Sequence, residues 1–305
     1  MNRTGARSFS KSILPNVAIG RACLCRALLA GALFFVAGSH PAVLRAHAAT
    51  PFPPVSQSTL TPLQREIEKQ RARLASGDVE ERREAVTRLG AMARADSSRV
   101  ALPALKDAAV IVRATAARAV LSLPAEEAAA ALLPLLTDKN EFVRRETAYA
   151  LGQTRSPMAV QSLATALARD KEAGVRGAAA VALGQIGDAE AVPILTEAIG
   201  RRIARTGLLN RITFRRTEEN EFVRRSAAVA LGQIKSRAAV PALIGALANE
   251  RAGDDVRREA ARSLGLIGDP SAIPTLQRAA LTARDPYLAE IISEALRKLE
   301  PGKVG

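Results

Sequence analysis

The sequence predicts an all-α fold: a right-handed α-solenoid, or superhelix, of about seven antiparallel helix pairs. A pattern close to Val-Arg-Arg-x-Ala-Ala-x-Ala-Leu-Gly recurs along most of the 305 residues. Its first arginine falls at positions 82, 113, 144, 176, 224 and 257, so the steps are 31, 31, 32, 48 and 33 residues. A fixed period of about 20–50 residues is typical of solenoids, whose units bury their apolar faces by stacking on one another.

The composition favours thin, closely packed helices. Hydrophobic residues make up 48% of the chain, but aromatic residues only 3%, and tryptophan is absent. The core must therefore consist of alanine, leucine, valine and isoleucine, and a core so rich in alanine suits helices better than a sheet.

Residues 1–48 have the order of a secretory signal peptide. They contain six basic residues and no acidic one, the apolar run from Ala27 to Gly38, and then Ala46-His47-Ala48 at a cleavage-like spacing. The apolar run is too short to span a hydrocarbon layer about 30 Å thick. The segment predicts export to the periplasm or secretion, with a membrane signal anchor and an organelle transit peptide as alternatives.

The rare residue types restrict the chemistry. Both cysteines and both histidines lie within residues 1–48, so the processed chain would hold no thiol nucleophile, imidazole base or His/Cys metal ligand. Processing would also lower the net charge from +14 to +8, since 38 basic and 30 acidic residues remain. That charge favours an acidic protein or an anionic membrane surface over nucleic acid as a partner. We expect no enzymatic activity, cofactor or metal.

The chain divides into a proline- and serine-rich linker at 49–60, a solenoid at 61–300 and a short tail at 301–305. Each solenoid unit has a first helix, A, and a second helix, B. The predicted pairs are 62–75 with 79–93, 98–107 with 109–123, 125–136 with 140–154, 157–169 with 172–187, 189–204 with 218–235, 237–249 with 253–267, and 270–283 with 286–299.

The B helices carry the recurring pattern. Val223, Ala227, Leu231 and Ile234 follow one another at steps of 4, 4 and 3, which places them on one helical face. The recurring glycine, Gly232 in this copy, costs about 1 kcal/mol of helix propensity relative to alanine. We therefore expect it to leave space for the neighbouring helix.

The repeat residues point to a known family. Val256-Arg257-Arg258-Glu259-Ala260-Ala261, followed by Leu264-Gly265-Leu266-Ile267-Gly268-Asp269, resembles the HEAT-like repeats of the phycobilisome-lyase type. The resemblance covers about residues 62–299 and implies the solenoid fold, but such repeats occur in scaffolds, lyases and hydroxylases alike. A hydroxylase of the deoxyhypusine type would require His–Glu metal pairs, and no histidine follows His47.

The resemblance also implies a structural role for the recurring arginine, which in HEAT-like repeats pairs with an acidic residue in a neighbouring turn. We expect such a ladder to contain Arg82, Arg113, Arg144, Arg176, Arg224 and Arg257. The next residue is Ala114 or Gly177 in two copies and arginine in the other four. A solenoid stacks these positions in a row, which is either a solvated helix face or a basic stripe that binds carboxylates or phosphates. The stripe would consist of Arg83, Arg145, Arg225 and Arg258.

The step of 48 residues contains an insertion, which we place at 201–219. It holds six arginines interleaved with isoleucine, leucine and phenylalanine. Insertions in solenoids map to loops on one face, often the binding face, and basic plus apolar residues suit an acidic protein or a lipid headgroup layer. The alternative is a longer A helix with a flexible loop. The predicted partner-binding residues are Arg201, Arg202, Arg205, Arg211, Phe214, Arg215 and Arg216.

Together these features predict a non-enzymatic protein-binding scaffold or adaptor in an exported compartment. It would present a curved helical surface and a basic insertion to an acidic protein partner. The alternatives are an accessory lyase or chaperone-like factor for a chromophore or cofactor, and a peripheral membrane adaptor.

Overall fold

The computed structural model describes residues 60–204 and 216–300, and over these ranges seven helix pairs follow one another and confirm the predicted all-α solenoid. The A helices are α1 (Pro62–Arg73), α3 (Ala95–Ala101), α5 (Ala125–Leu132), α7 (Val160–Arg169), α9 (Val192–Gly200), α11 (Val240–Ala248) and α13 (Ile273–Thr282). The B helices are α2 (Val79–Ala91), α4 (Val110–Ala119), α6 (Glu141–Thr154), α8 (Ala173–Ile186), α10 (Glu221–Ile234), α12 (Asp254–Ile267) and α14 (Pro286–Leu299).

Short 3₁₀ turns adjoin the A helices from the second pair onward. They follow α3 and α5, and they precede the four later A helices. Proline occupies the second position of α9, α11 and α13, where its missing N–H removes no helical hydrogen bond. The late A helices therefore begin at Val192, Val240 and Ile273.

The B helices form the continuous element of the stack. Each one packs against the B helix of the next pair, from α2 against α4 to α12 against α14. Each also packs against the A helix of its own pair or the 3₁₀ turn adjoining that helix. No unit could bury its apolar face alone, so stability depends on these contacts between neighbours.

Aliphatic side chains fill the core, as the composition predicts. The largest fully buried side chains in the described ranges are all leucines, and Val223, Ala227 and Leu231 are completely buried on one face of α10. Burial of one such leucine contributes about 1.5–3 kcal/mol. None of the helices in these ranges is both long and apolar enough to cross a membrane.

The glycine near the end of each B helix marks a close contact between successive units. A Cβ atom added at Gly184 would lie 2.7 Å from Cα of Ala230, and one added at Gly90 would lie 2.9 Å from Cα of Ala119. Real Cβ atoms almost never approach another atom so closely. The expectation that glycine leaves space for the neighbouring helix is confirmed.

The insertion begins and ends as a β-hairpin, which the sequence did not predict. Strand β1 (Arg202–Ala204) pairs antiparallel with β2 (Arg216–Glu218), and Ile203 lies opposite Thr217. The predicted A helix 189–204 is wrong beyond Gly200, and the following B helix begins at 221 rather than 218. The helix ends at Gly200, a residue of low helix propensity, and the β-branched Ile203 and Thr217 favour an extended pair.

Candidate binding surface

A ladder of arginine–carboxylate pairs connects the first units of the stack. Arg82 donates from Nε and Nη2 to the two carboxylate oxygens of Asp107, at 2.7 and 3.0 Å. Arg144 binds Asp170 in the same way, at 2.6 and 3.0 Å. Each pair is bidentate, which is the strongest form of this interaction. The four pairs are Arg82–Asp107, Arg113–Asp138, Arg144–Asp170 and Arg176–Glu219.

The rungs of the ladder are connected to one another. Nη1 of Arg113 donates to the backbone oxygen of Asp107 at 2.7 Å, although the carboxylate of Asp107 belongs to Arg82. The same carboxylate also accepts the backbone N–H of Ala109 at 2.8 Å. This arrangement repeats at Asp138 and Asp170. Each loop thus binds the arginine of the preceding unit and of its own unit, which holds the units in register.

These contacts lower the pKa of three ladder carboxylates, those of Asp107, Asp138 and Asp170. At Asp107 the hydrogen bond from Arg82 is the main cause of the lowered pKa. At Asp138 and Asp170 burial acts to raise the pKa, but the arginine and backbone hydrogen bonds together outweigh it, so the net pKa is lowered as well. The charged form of each carboxylate is therefore the stabilising one.

We expect the protein to lose stability in acid as these carboxylates become protonated. Since their pKa values are lower in the folded chain, their contribution is complete above the unfolded value of about 3.9. It is lost as the pH falls from there through the folded values. Urea unfolding monitored by circular dichroism between pH 7 and pH 2.5 measures this loss. Asp138→Asn should be less stable at pH 7 but lose less on acidification; an equal loss in both proteins would contradict the assignment.

The ladder changes after the insertion. Nε of Arg224 donates to the backbone oxygen of Ile199, and Nε of Arg257 donates to that of Leu247, both at 3.1 Å. Arg257 also lies 3.6 Å from Asp254 of its own helix. The next residue, Arg258, instead binds Asp285 in the loop of the last pair, at 2.6 Å. In the last pair, the arginine that binds the loop carboxylate is therefore the second one of the pattern, Arg258, and not the first, Arg257.

The four arginines of the predicted basic stripe all lie within 4.0 Å of a carboxylate. Arg145, Arg225 and Arg258 also lie over an aromatic ring, with centroid distances of 5.2, 6.0 and 5.7 Å. The positive charges of all four stripe arginines are therefore largely compensated within the chain. The shortest ion pairs are Arg83–Glu80 at 2.7 Å, Arg145–Glu146 at 3.6 Å, Arg225–Asp255 at 3.6 Å and Arg258–Asp285 at 2.6 Å.

One of the two copies without a second arginine, at Gly177, has a steric reason. The ring of Phe222 occupies the space where a Cβ atom of Gly177 would lie. Ala114 and Phe142 likewise line one groove. In both copies, a phenylalanine near the start of one B helix is thus accompanied by a small residue, Gly177 or Ala114, at the second-arginine position of the preceding B helix. Where arginine is present, as at Arg145, the facing residue is the small Gly174.

The base of the insertion is built into the ladder. The side chain of Glu219 is fully buried and accepts from Nε and Nη2 of Arg176 at 3.1 and 2.6 Å. Its backbone N–H donates to the oxygen of Arg201 at 2.8 Å. The Arg201 guanidinium binds the backbone oxygens of Leu167 and Ala168 at the end of α7. Arg201 therefore anchors the hairpin to the stack.

The other predicted residues of the insertion are placed only in part. Arg202 lies in β1 and Arg216 lies in β2. The remaining four lie outside the described residues: Arg205, Arg211, Phe214 and Arg215.

The exposed face of α6, α8 and α10 is uncharged beyond the second turn of each helix. We call it the central B-helix face. Tyr149, Val181 and Val229 are half-buried on it. One turn further along lie three exposed glutamines, the glutamine row: Gln153, Gln185 and Gln233. Over the described ranges their amides make no hydrogen bond to the chain, so they are free to bind another molecule.

A groove adjoins the glutamine row on its N-terminal side. It has a volume of about 460 Å³ and lies between α2, α4 and α6. Ile111, Phe142 and Arg118 line it, together with Glu146 and Gln153. Ile111 is 38% exposed, more than any other isoleucine in the described helices.

The repeat pattern matches a family model. The model described as HEAT repeats matches residues 67–152, 130–206 and 208–297, well over half of the chain. The chain belongs to the HEAT-repeat family. This confirms the family predicted from the repeat residues.

Three solved structures to which the chain is similar differ in the extent of the likeness. YibA of Escherichia coli is 21% identical, with a TM-score of 0.53 over 78% of this chain and 82% of that one. The complex of CpcE and CpcF of phycocyanin lyase from Nostoc sp. PCC7120 is 22% identical, with a TM-score of 0.46 over 83% and 92%. Human deoxyhypusine hydroxylase is 23% identical, with a TM-score of 0.37 over 77% and 84%. No curated protein sequence matches the chain.

Within this HEAT-repeat stack, the ladder and stripe arginines are separate from the exposed glutamine row. The ladder and stripe arginines make contacts within the chain. The glutamine row was not predicted from the sequence. Its signal is a recurring Leu-Gly-Gln in three consecutive units, at Gln153, Gln185 and Gln233. In the described ranges, no three His, Cys, Asp or Glu residues are grouped to hold a metal ion.

Proposed function

We propose that this HEAT-repeat protein is a non-enzymatic, exported scaffold that holds a partner protein on its central B-helix face. The observation that carries the proposal is the glutamine row: three exposed amides on successive helices without a hydrogen bond in the described chain. HEAT repeats generally mediate protein–protein interaction. A surface with free amides and aliphatic groups, next to a groove, suits such a contact.

The remaining features support the same function. The carboxylates of the ladder, such as Asp107 and Glu219, are paired with arginines, here Arg82 and Arg176. Their pairing supports a structural use of these carboxylates rather than a catalytic one. The insertion starts from a base that Arg201 anchors to the stack, and we propose that the arginines of the insertion contact an acidic part of the partner. Export rests on the signal-like order of residues 1–48.

Site-specific photo-crosslinking tests this function. A photoreactive amino acid is placed at Gln185 on the central B-helix face or, as a control, at the exposed Glu197 on helix α9. The full chain is expressed in its native cells and recovered from the exported fraction. We expect one protein to crosslink from position 185 and not from 197, and the purified pair to repeat this preference. Equal crosslinking from both positions, or none from 185, would contradict the proposal.

A further inference from the structure

We propose that the glutamine row binds the main chain of an extended, uncharged segment of the partner, in polyproline II-like conformation. This rests on the proposed scaffold function and specifies what the central B-helix face recognises. The segment would run across α6, α8 and α10. A carboxylate that follows the uncharged segment would meet Arg118.

The chemistry of the amide suits a peptide backbone. A glutamine side chain both donates and accepts, as a peptide unit does, so one amide can pair with the C=O and N–H groups of a passing chain. Such contacts do not depend on the partner's side chains. Beyond their second turns α6, α8 and α10 hold no charged residue, and the first charged residues after them, Arg155, Asp188 and Lys235, differ in sign, so the row favours a segment of neither charge.

Two of the three amides lie over the glycines of the preceding units. A Cβ atom at Gly152 would overlap Oε1 of Gln185, and one at Gly184 would overlap Oε1 of Gln233. The glycine thus makes room both for the next helix and for the amide that lies over it.

The spacing of the row matches an extended peptide. Packed helices lie about 8–10 Å apart. A polyproline II segment repeats every three residues, with a rise of about 3.1 Å per residue, so equivalent peptide units recur about every 9 Å. Its backbone groups have no internal hydrogen bonds and are free to pair. Successive glutamines can therefore meet every third peptide unit.

The groove determines the direction of the segment. Gln153 belongs both to the row and to the groove, so a chain crossing the row continues between α4 and α6. There Ile111 and Phe142 offer an apolar surface. Arg118 is exposed beside them and has no ion pair in the described part of the chain, whereas Glu146 already lies 3.6 Å from Arg145. An apolar residue followed by a carboxylate fits this end.

Peptide binding to the full chain tests the inference. Nine-residue peptides are selected from a random displayed library, and the best binder is synthesised with a fluorescent label. Fluorescence anisotropy then gives its Kd for the unmodified protein and for the triple variant Gln153→Ala, Gln185→Ala, Gln233→Ala. We expect the Kd to rise at least about tenfold in the triple variant. It should not change in Gln161→Ala, Gln277→Ala, which removes glutamines from the A helices.

N-methylation of the peptide shows whether its main chain is recognised. Every third residue of the peptide can be N-methylated in three ways, which differ by the residue at which the series starts. Only one of these three registers removes the N–H groups that face the row, and the peptide methylated in that register should lose at least about tenfold in affinity. The other two registers should bind nearly as before. Arg118→Ala should weaken only peptides that carry the terminal carboxylate.

Several outcomes would overturn the inference. These are a failure to select any peptide, unchanged binding by the triple variant, or equal tolerance of methylation in all registers. Self-association that disappears in the triple variant would instead assign the row to a second copy of this chain. If crosslinking from position 185 still identifies a partner in any of the first three cases, the scaffold function stands and only the mode of recognition is wrong.

Discussion

Replacement of Glu219 by alanine is expected to lower the free energy of unfolding by about 3–5 kcal/mol. The carboxylate is buried and binds Arg176 through two hydrogen bonds, and Arg176 is itself only 7% exposed. The substitution would leave the arginine charge buried without its partner, which is far more costly than loss of an exposed pair. Chemical denaturation followed by circular dichroism measures the change.

Two further variants separate the causes of this effect. Glu127→Ala removes the carboxylate of an exposed pair with Arg99 and should change stability little. Glu219→Gln retains a hydrogen-bond acceptor without the charge and should fall between wild type and Glu219→Ala. Hydrogen exchange in β1 should rise in Glu219→Ala, since the anchor of the hairpin is lost. If Glu219→Ala is no less stable than Glu127→Ala, the ladder does not hold this junction.

Gly184→Ala is expected to destabilise the protein by about 2 kcal/mol, although alanine is the better helix former. The new methyl group would lie 2.7 Å from Cα of Ala230 and 2.8 Å from its Cβ. These atoms belong to α10, which packs against the helices on both sides and cannot shift to make room. We therefore expect the cost of overpacking, about 1–3 kcal/mol, to lie near its upper limit. It exceeds the helix propensity gained, about 1 kcal/mol.

Gly245→Ala is the matched control. Gly245 also lies within a helix, α11, but a Cβ atom there would have no neighbour within 4 Å. This variant should gain about 0.5–1 kcal/mol from the reduced freedom of the unfolded chain. Thermal and urea unfolding of both variants give the comparison. If Gly184→Ala and Gly245→Ala changed the free energy of unfolding in the same direction, the contact between α8 and α10 would not require glycine at position 184.

The sequence allowed much of the helical framework to be predicted, because its signals are local. The period of the arginine indicated the number of units, and the steps between Val223, Ala227 and Leu231 indicated the buried face of α10. The hairpin was missed because a short strand has too few residues for a recognisable alternation. The glutamine row was missed because a lone exposed glutamine has no meaning until neighbouring helices align it with others.

The sequence by itself determined the repeat, the aliphatic core and the positions that had to be small. These follow from spacing along one helix, where periodicity decides which residues share a face. Only the tertiary structure decided which carboxylate each arginine binds, such as Glu219 for Arg176 across 43 residues of sequence. It also decided that the stripe arginines are compensated and that the free amides lie elsewhere. Such pairings depend on distances between units, and a repeat can set those distances only after it has stacked.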